Sequence, residues 1–177
     1  MVTPAGGVNS GEHPGPASVG IPAAMVQQLI DHARTGFPNE ACGVIVGDAP
    51  AAAGGRPLRW EPAANVAASP FRYEIDPDEL YRLTVAVDDA DEAFWGIVHS
   101  HTHTAARPSA TDVGQAFYPD ALYILVSLSS EEEDEVAAAP LPTVPTVRAW
   151  RIVDGEVFEV ELLVEAGAAG AADAAGA

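Results

Sequence analysis

Three side chains in one short stretch could hold a metal ion. His99 and His101 stand two apart at the end of the apolar run FWGIV. In a strand, residues two apart share a face, so two imidazoles can reach one cation. Asp112, further along, can add an anionic ligand. Zinc accepts a set of two histidines and a carboxylate and keeps a fourth position for water. That water's pKa falls toward about 7, and hydrolysis then needs a base to take its proton and return it to the leaving group. Glu40 sits just before CGVIVG, where a loop enters a buried strand, and can face the sheet's open end.

Each of these residues also has a plainer use. Two histidines at a strand end can make ordinary hydrogen bonds. Ser109 and Asp112 follow a proline with the spacing of a helix capping box, which competes with a metal for the Asp112 carboxylate. Glu40 is one of 26 acidic residues. His103 makes a second His-x-His with His101, but its spacing to Ser109 is wrong for a ligand, and it is expected at the rim of the cleft. Cys42 is expected as a small buried hydrophobe, not a nucleophile. His13 and His32 have no partner the sequence identifies.

These groups need elements to position them. A first helix is expected from Ile21 onward, with Met25, Val26, Leu29, Ile30 and Ala33 at helical spacing. CGVIVG (42–47) is expected as a buried strand, with further strands at 58–61, 71–75, 94–99 and 121–128. Asp76-Pro77 signals a helix start, with Leu80, Leu83, Thr84 and Val87 on one face. A short helix is expected at 112–117. Asp154-Gly155 between 144–153 and 156–164 reads as a hairpin turn. Trp60, Trp95 and Trp150 read as core or sheet-face residues, and the acidic run 131–135 as a solvated loop. The sum is one mixed α/β domain at 20–164, with Gly/Ala/Pro-rich tails at 1–19 and 165–177 expected to be flexible.

Composition narrows the function. A chain of 177 residues that is 48% hydrophobic supports one domain with a real core. The opening lacks the basic and apolar regions of a secretory signal, and no apolar run of about 18 residues exists to span a membrane. The expectation is a cytoplasmic protein. A net charge of −18 argues against nucleic acid as a partner. The single cysteine excludes both a disulfide framework and a four-cysteine zinc site. All eight basic residues are arginine, which fits a G+C-rich coding sequence as the Ala, Gly and Pro richness does.

The pattern His-x-His, seven residues, Ser, two residues, Asp, with an upstream Glu, resembles the JAMM (MPN-plus) metallopeptidase motif: Glu40, His99, His101, Ser109 and Asp112. The flanks PNEACGVIVG, FRYEIDPDEL, HSHT…PSATD and RIVDGEVFEV resemble its bacterial Mec-type branch, over roughly residues 21–163. The resemblance implies a cytidine-deaminase-like fold, a single-domain α/β/α sandwich around a mixed sheet. It implies zinc (Zn2+) on His99, His101 and Asp112, with Glu40 holding the attacking water and Ser109 donating to the oxyanion. The implied substrate is a ubiquitin-like sulfur-carrier protein whose terminal glycine is joined to cysteine. Hydrolysis would release cysteine, as in cysteine biosynthesis. A JAMM isopeptidase acting on lysine-linked modifiers and a non-catalytic MPN scaffold are the alternatives; the intact ligand set speaks against the scaffold. Deamination is excluded, because it needs a Pro-Cys-x-x-Cys that one cysteine cannot supply. A homodimer is compatible with this reading.

Overall fold

A computed structural model describes residues 14–129 and 145–166. The apolar runs become a seven-stranded sheet in the order β1-β7-β6-β5-β4-β2-β3. The strands are β1 (Ser18–Pro22), β2 (Cys42–Gly47), β3 (Pro57–Ala63), β4 (Ala93–His101), β5 (Leu122–Ser127), β6 (Thr146–Val153) and β7 (Glu156–Glu165). β4 pairs with β5 in parallel, as β1 does with β7; the other pairs are antiparallel, so the sheet is mixed. β2 and β5 are buried along their whole length, which is why their sequences are apolar without alternation.

Helices cover both faces. α1 (Ala23–Gly36) lays Met25, Leu29 and Ala33 against Ile45, Trp95, Val98, Ile124 and Val126. α2 (Pro77–Asp89) and α3 (Ala110–Gly114) cover the other face, where Val87, Leu80, Leu83 and Val113 meet Val44, Val46, Ile97, Tyr123, Leu125 and Trp150. The result is the expected α/β/α sandwich. Asp76 caps α2 by accepting from the amides of Asp78 and Glu79, with Pro77 next in line. The Asp154-Gly155 turn forms as expected, with φ of 52° and 81°.

The structure departs from expectation at four elements. Ser18 and Val19, expected in the tail, belong to β1, and the paired backbone therefore starts before residue 20. Its short SVGIP sequence carries no alternation, and its order comes from pairing with β7. Residues 71–75 are not a strand; a single bridge joins Asn65 to Ile75. The Asn65 side chain takes up that backbone instead, donating to the carbonyls of Glu40 and Arg72 and accepting from the amides of Ala67 and Glu74. α3 starts at Ala110 and ends at Gly114, earlier than expected, because Ser109 caps it. Thr84 is exposed and lies off the packed face of α2. His13 and the acidic run 131–135 lie outside the described residues.

Candidate metal centre

Strand register brings the site together. β4 ends between β2 and β5, with neighbours of opposite direction on its two sides. His99 and His101 therefore emerge at the carboxyl end of a central strand, on the face that Ile97 shares with α2 and α3. Cys42 of β2 pairs with His99, and antiparallel pairing then carries the chain two residues back, to Glu40, alongside His101. Ser100 points to the opposite side and fixes this junction. Its hydroxyl accepts from the Ala41 amide at 2.8 Å, while its own amide donates to the Ala41 carbonyl at 2.9 Å.

The three donors converge. His99 Nε2 and His101 Nε2 lie 3.2 Å apart; Asp112 Oδ1 is 3.1 Å from His99 Nε2 and Oδ2 is 3.4 Å from His101 Nε2. A tetrahedron built on zinc–ligand distances of about 2.0–2.1 Å has an edge of roughly 3.3 Å, so these separations fit a single metal ion. His101 is pre-set for the task. Its Nδ1 lies 2.9 Å from the Ala105 carbonyl, which can only accept, so Nδ1 carries the hydrogen and Nε2 presents a lone pair. Thr104 Oγ1 lies 2.9 Å from the same nitrogen. His99 Nδ1 is buried without a partner; the ring is held instead by Tyr73, stacked at 4.2 Å and 20°. Among the described residues, no other trio of His, Cys, Asp or Glu converges in this way.

Capping and ligation turn out to be compatible. Ser109 Oγ accepts from the Asp112 amide at 3.2 Å, and Asp112 Oδ2 accepts from the Ser109 amide at 2.7 Å. The capping box aims the carboxylate at the histidines. It also leaves the Ser109 hydroxyl proton free to donate.

Charge is organised around this cluster. Burial pushes Asp112 up, but the hydrogen bonds with His101 and His99 outweigh it and hold the carboxyl well below the ordinary range. Burial lowers His99, against the opposing pull of Asp112. Burial also acts to lower His101, but Asp112 and the Ala105 carbonyl raise it on balance. Glu40 is only 6% exposed, and burial pushes it up to about 7, with His101 opposing and Asp112 assisting. A carboxyl poised there can take and return a proton near neutral pH.

The remaining candidates fall outside the cluster. His103 is exposed, with Nδ1 beside Thr102 Oγ1 and its ring 5.5 Å from that of Phe71. Cys42 is buried and its thiol is pushed up to about 12, mainly by burial, so it is not a nucleophile. His32 Nε2 donates to the Cys42 carbonyl, 3.1 Å away, and the ring meets Trp60 edge-on. Tyr73, Ser100 and Trp150 support the site without showing it in sequence. Trp150 Nε1 donates to the Ala106 carbonyl at 3.0 Å and anchors the loop between His101 and Ser109. The signal for Ser100 was its alternation with the two histidines; the other two act through contacts that only the fold creates.

A three-layer sandwich with such a cluster at the carboxyl end of a central strand defines a class of metal-binding domain. The family model of prokaryotic homologues of the JAB domain matches residues 22–153, and the chain belongs to that family. This is the JAMM family that the motif resembles. A CysO-cysteine peptidase from Mycobacterium tuberculosis is 41% identical over 139 residues, covering 78% of this chain and 86% of that protein. A desampylase from Haloferax volcanii is 36% identical over 104 residues, covering 56% of this chain and 73% of that one. The solution structure of a Desulfitobacterium hafniense protein superposes with a TM-score of 0.68 at 28% identity, covering 84% of this chain and 93% of its own.

Proposed function

We propose that the protein is a zinc-dependent hydrolase that cuts the amide between the C-terminal glycine of a ubiquitin-like sulfur carrier and cysteine. The convergence of His99, His101 and Asp112 beside a buried Glu40 carries this reading. The 41% identity to a CysO-cysteine peptidase supports the substrate. His99, His101 and Asp112 would hold the zinc ion, which would supply Lewis acidity to the scissile carbonyl and to a water. Glu40 takes the proton from that water and delivers it to the leaving amine. Ser109 donates its hydroxyl hydrogen to the developing oxyanion while its oxygen stays occupied by the Asp112 amide. Tyr73, on the His99 ring, also lines a groove of about 340 Å³ with Ile75, Leu80, Ile97, Phe117 and Tyr118, which suits an extended chain end. Two glycines before the cut let the carbonyl approach without a Cβ in the way.

The likeness to a desampylase favours a second reading, release of a ubiquitin-like modifier from a protein lysine. Mass spectrometry of a carrier ending Gly-Gly-Cys, incubated with zinc-loaded protein, separates the two. The expected result is cleavage after the second glycine with free cysteine as product. An intact adduct together with cleavage of a lysine-linked isopeptide promotes the second reading. Metal analysis is expected to find about one zinc per chain, lost in the double variant His99→Ala/His101→Ala.

A further inference from the structure

The chain carries eight basic side chains against 26 acidic ones, all eight of them arginine. Most are spoken for. Arg56 pairs with Asp48, Arg59 with Glu61 and Glu92, and Arg148 with Glu159. Arg82 donates to the Asp78 carbonyl and Arg151 to the Pro119 carbonyl. Arg34 is also engaged. Arg72 and Arg107 differ: neither guanidinium has a carboxylate or carbonyl partner among the described residues, although acids outnumber bases threefold. Both are exposed.

Both also sit in the two loops that border the metal centre. Arg72 directly precedes Tyr73, whose ring stacks on His99. Its segment is tied to the site's wall, because Ser69 O accepts from the Glu40 amide and Pro70 O from the Thr102 hydroxyl. Arg107 lies in the loop between His101 and Ser109. Its amide donates at 2.7 Å to the Ala105 carbonyl, the group that orients His101. Ala106 beside it is fully buried and held by Trp150. Both backbones are therefore fixed while both cationic heads are left without a partner among the described residues. The Phe71–His103 ring contact joins the two loops across the rim.

We infer that Arg72 and Arg107 form a carboxylate-binding subsite for the residue that leaves. This rests on the proposed amide hydrolysis and deepens it. A C-terminal cysteine carries a free α-carboxylate one residue past the scissile bond. In a chain of net charge −18 that anion is repelled unless local cations receive it. Guanidinium groups do so with paired, charge-assisted hydrogen bonds. A protein joined through a lysine amine presents no carboxylate at that place, so the subsite selects the small adduct over an isopeptide.

The test uses zinc-loaded full-length protein and two carriers made by ligation, one ending Gly-Gly-Cys with its free carboxylate and one ending Gly-Gly-Cys-carboxamide. Wild type is expected to favour the carboxylate in kcat/KM by roughly 10–100-fold, the usual range for losing a hydrogen bond to a charged group. Arg72→Gln/Arg107→Gln is expected to lose that preference by slowing only the carboxylate substrate, and Arg72→Lys/Arg107→Lys to restore part of it. Thermal melts check that the exposed substitutions leave the fold intact. Binding of both carriers to Glu40→Gln, with and without the arginine changes, gives the same comparison without turnover. Equal cleavage of both carriers by wild type overturns the subsite. So does an equal loss on both carriers in the double glutamine variant, which would place the arginines on the carrier's acidic surface. Failure of wild type to cut or bind either carrier instead overturns the proposed hydrolysis, and the subsite with it.

Discussion

Glu40 stands next to the ligand cluster without belonging to it, and that difference is measurable. Glu40→Gln keeps the shape of the side chain and removes its proton transfer. Metal content is expected to stay at the wild-type level while turnover falls by about 10²–10⁴-fold, or more because one residue serves both proton steps. Wild-type turnover in this variant would make Glu40 a bystander. The raised pKa of about 7 has a second consequence in the metal-free protein. Protonated Glu40 is the form the buried site tolerates, so its contribution to stability is complete below about pH 4.5, its unfolded value, and is lost as pH rises through about 7. His101 is shifted in the same sense, so the two must be separated. Denaturant titrations of metal-free wild type and Glu40→Gln across this window are expected to show a steeper decline for wild type. Parallel curves would mean that Glu40 is not desolvated.

At the scale of elements, α3 is five residues long and owes its place to one cap. Ser109→Ala removes an acceptor for the Asp112 amide and also the hydroxyl proposed to serve the oxyanion. The cap loss is expected to cost about 1 kcal/mol, seen as a melting temperature lowered by a few degrees. The donor loss is expected to cost about 10²–10³-fold in kcat. A lower melting temperature with an unchanged kcat would leave Ser109 as a cap alone. The same elements show what could be read in advance. Strands whose burial is complete, such as β2 and β5, announce themselves through apolar runs rich in Val, Ile and Leu without alternation, and the α2 start through Asp76-Pro77. The convergence of His99, His101 and Asp112 was legible because strand alternation and spacing are local rules. β1 was not, since its five residues have no pattern of their own and gain order only from β7. Residues 71–75 have strand-like composition, but the remote Asn65 side chain claims their backbone. Tyr73 and Trp150 were opaque for the same reason: each acts on a partner that the chain meets only after folding.

At the scale of the whole molecule, charge is divided between a strongly acidic exterior and a small site with its own balance. The net charge of −18 sets the long-range field, which a carrier meets before it meets the site. Attraction is then expected through a basic face of the carrier, and the association rate is expected to fall as salt rises past about 0.1 M, where the screening length is near 10 Å. Stopped-flow mixing of Glu40→Gln with a Gly-Gly-Cys carrier from low to high salt reads this directly, free of turnover. In the protein alone, His99, His101 and Asp112 are already only 1%, 4% and 8% exposed, so bulk ions screen them little. Saturated single-turnover cleavage by wild type is therefore expected to stay nearly flat over the same salt range while association slows. Association that quickens with salt would mean that like charges face each other across the interface, with the carrier body recruited by apolar contact and not by charge.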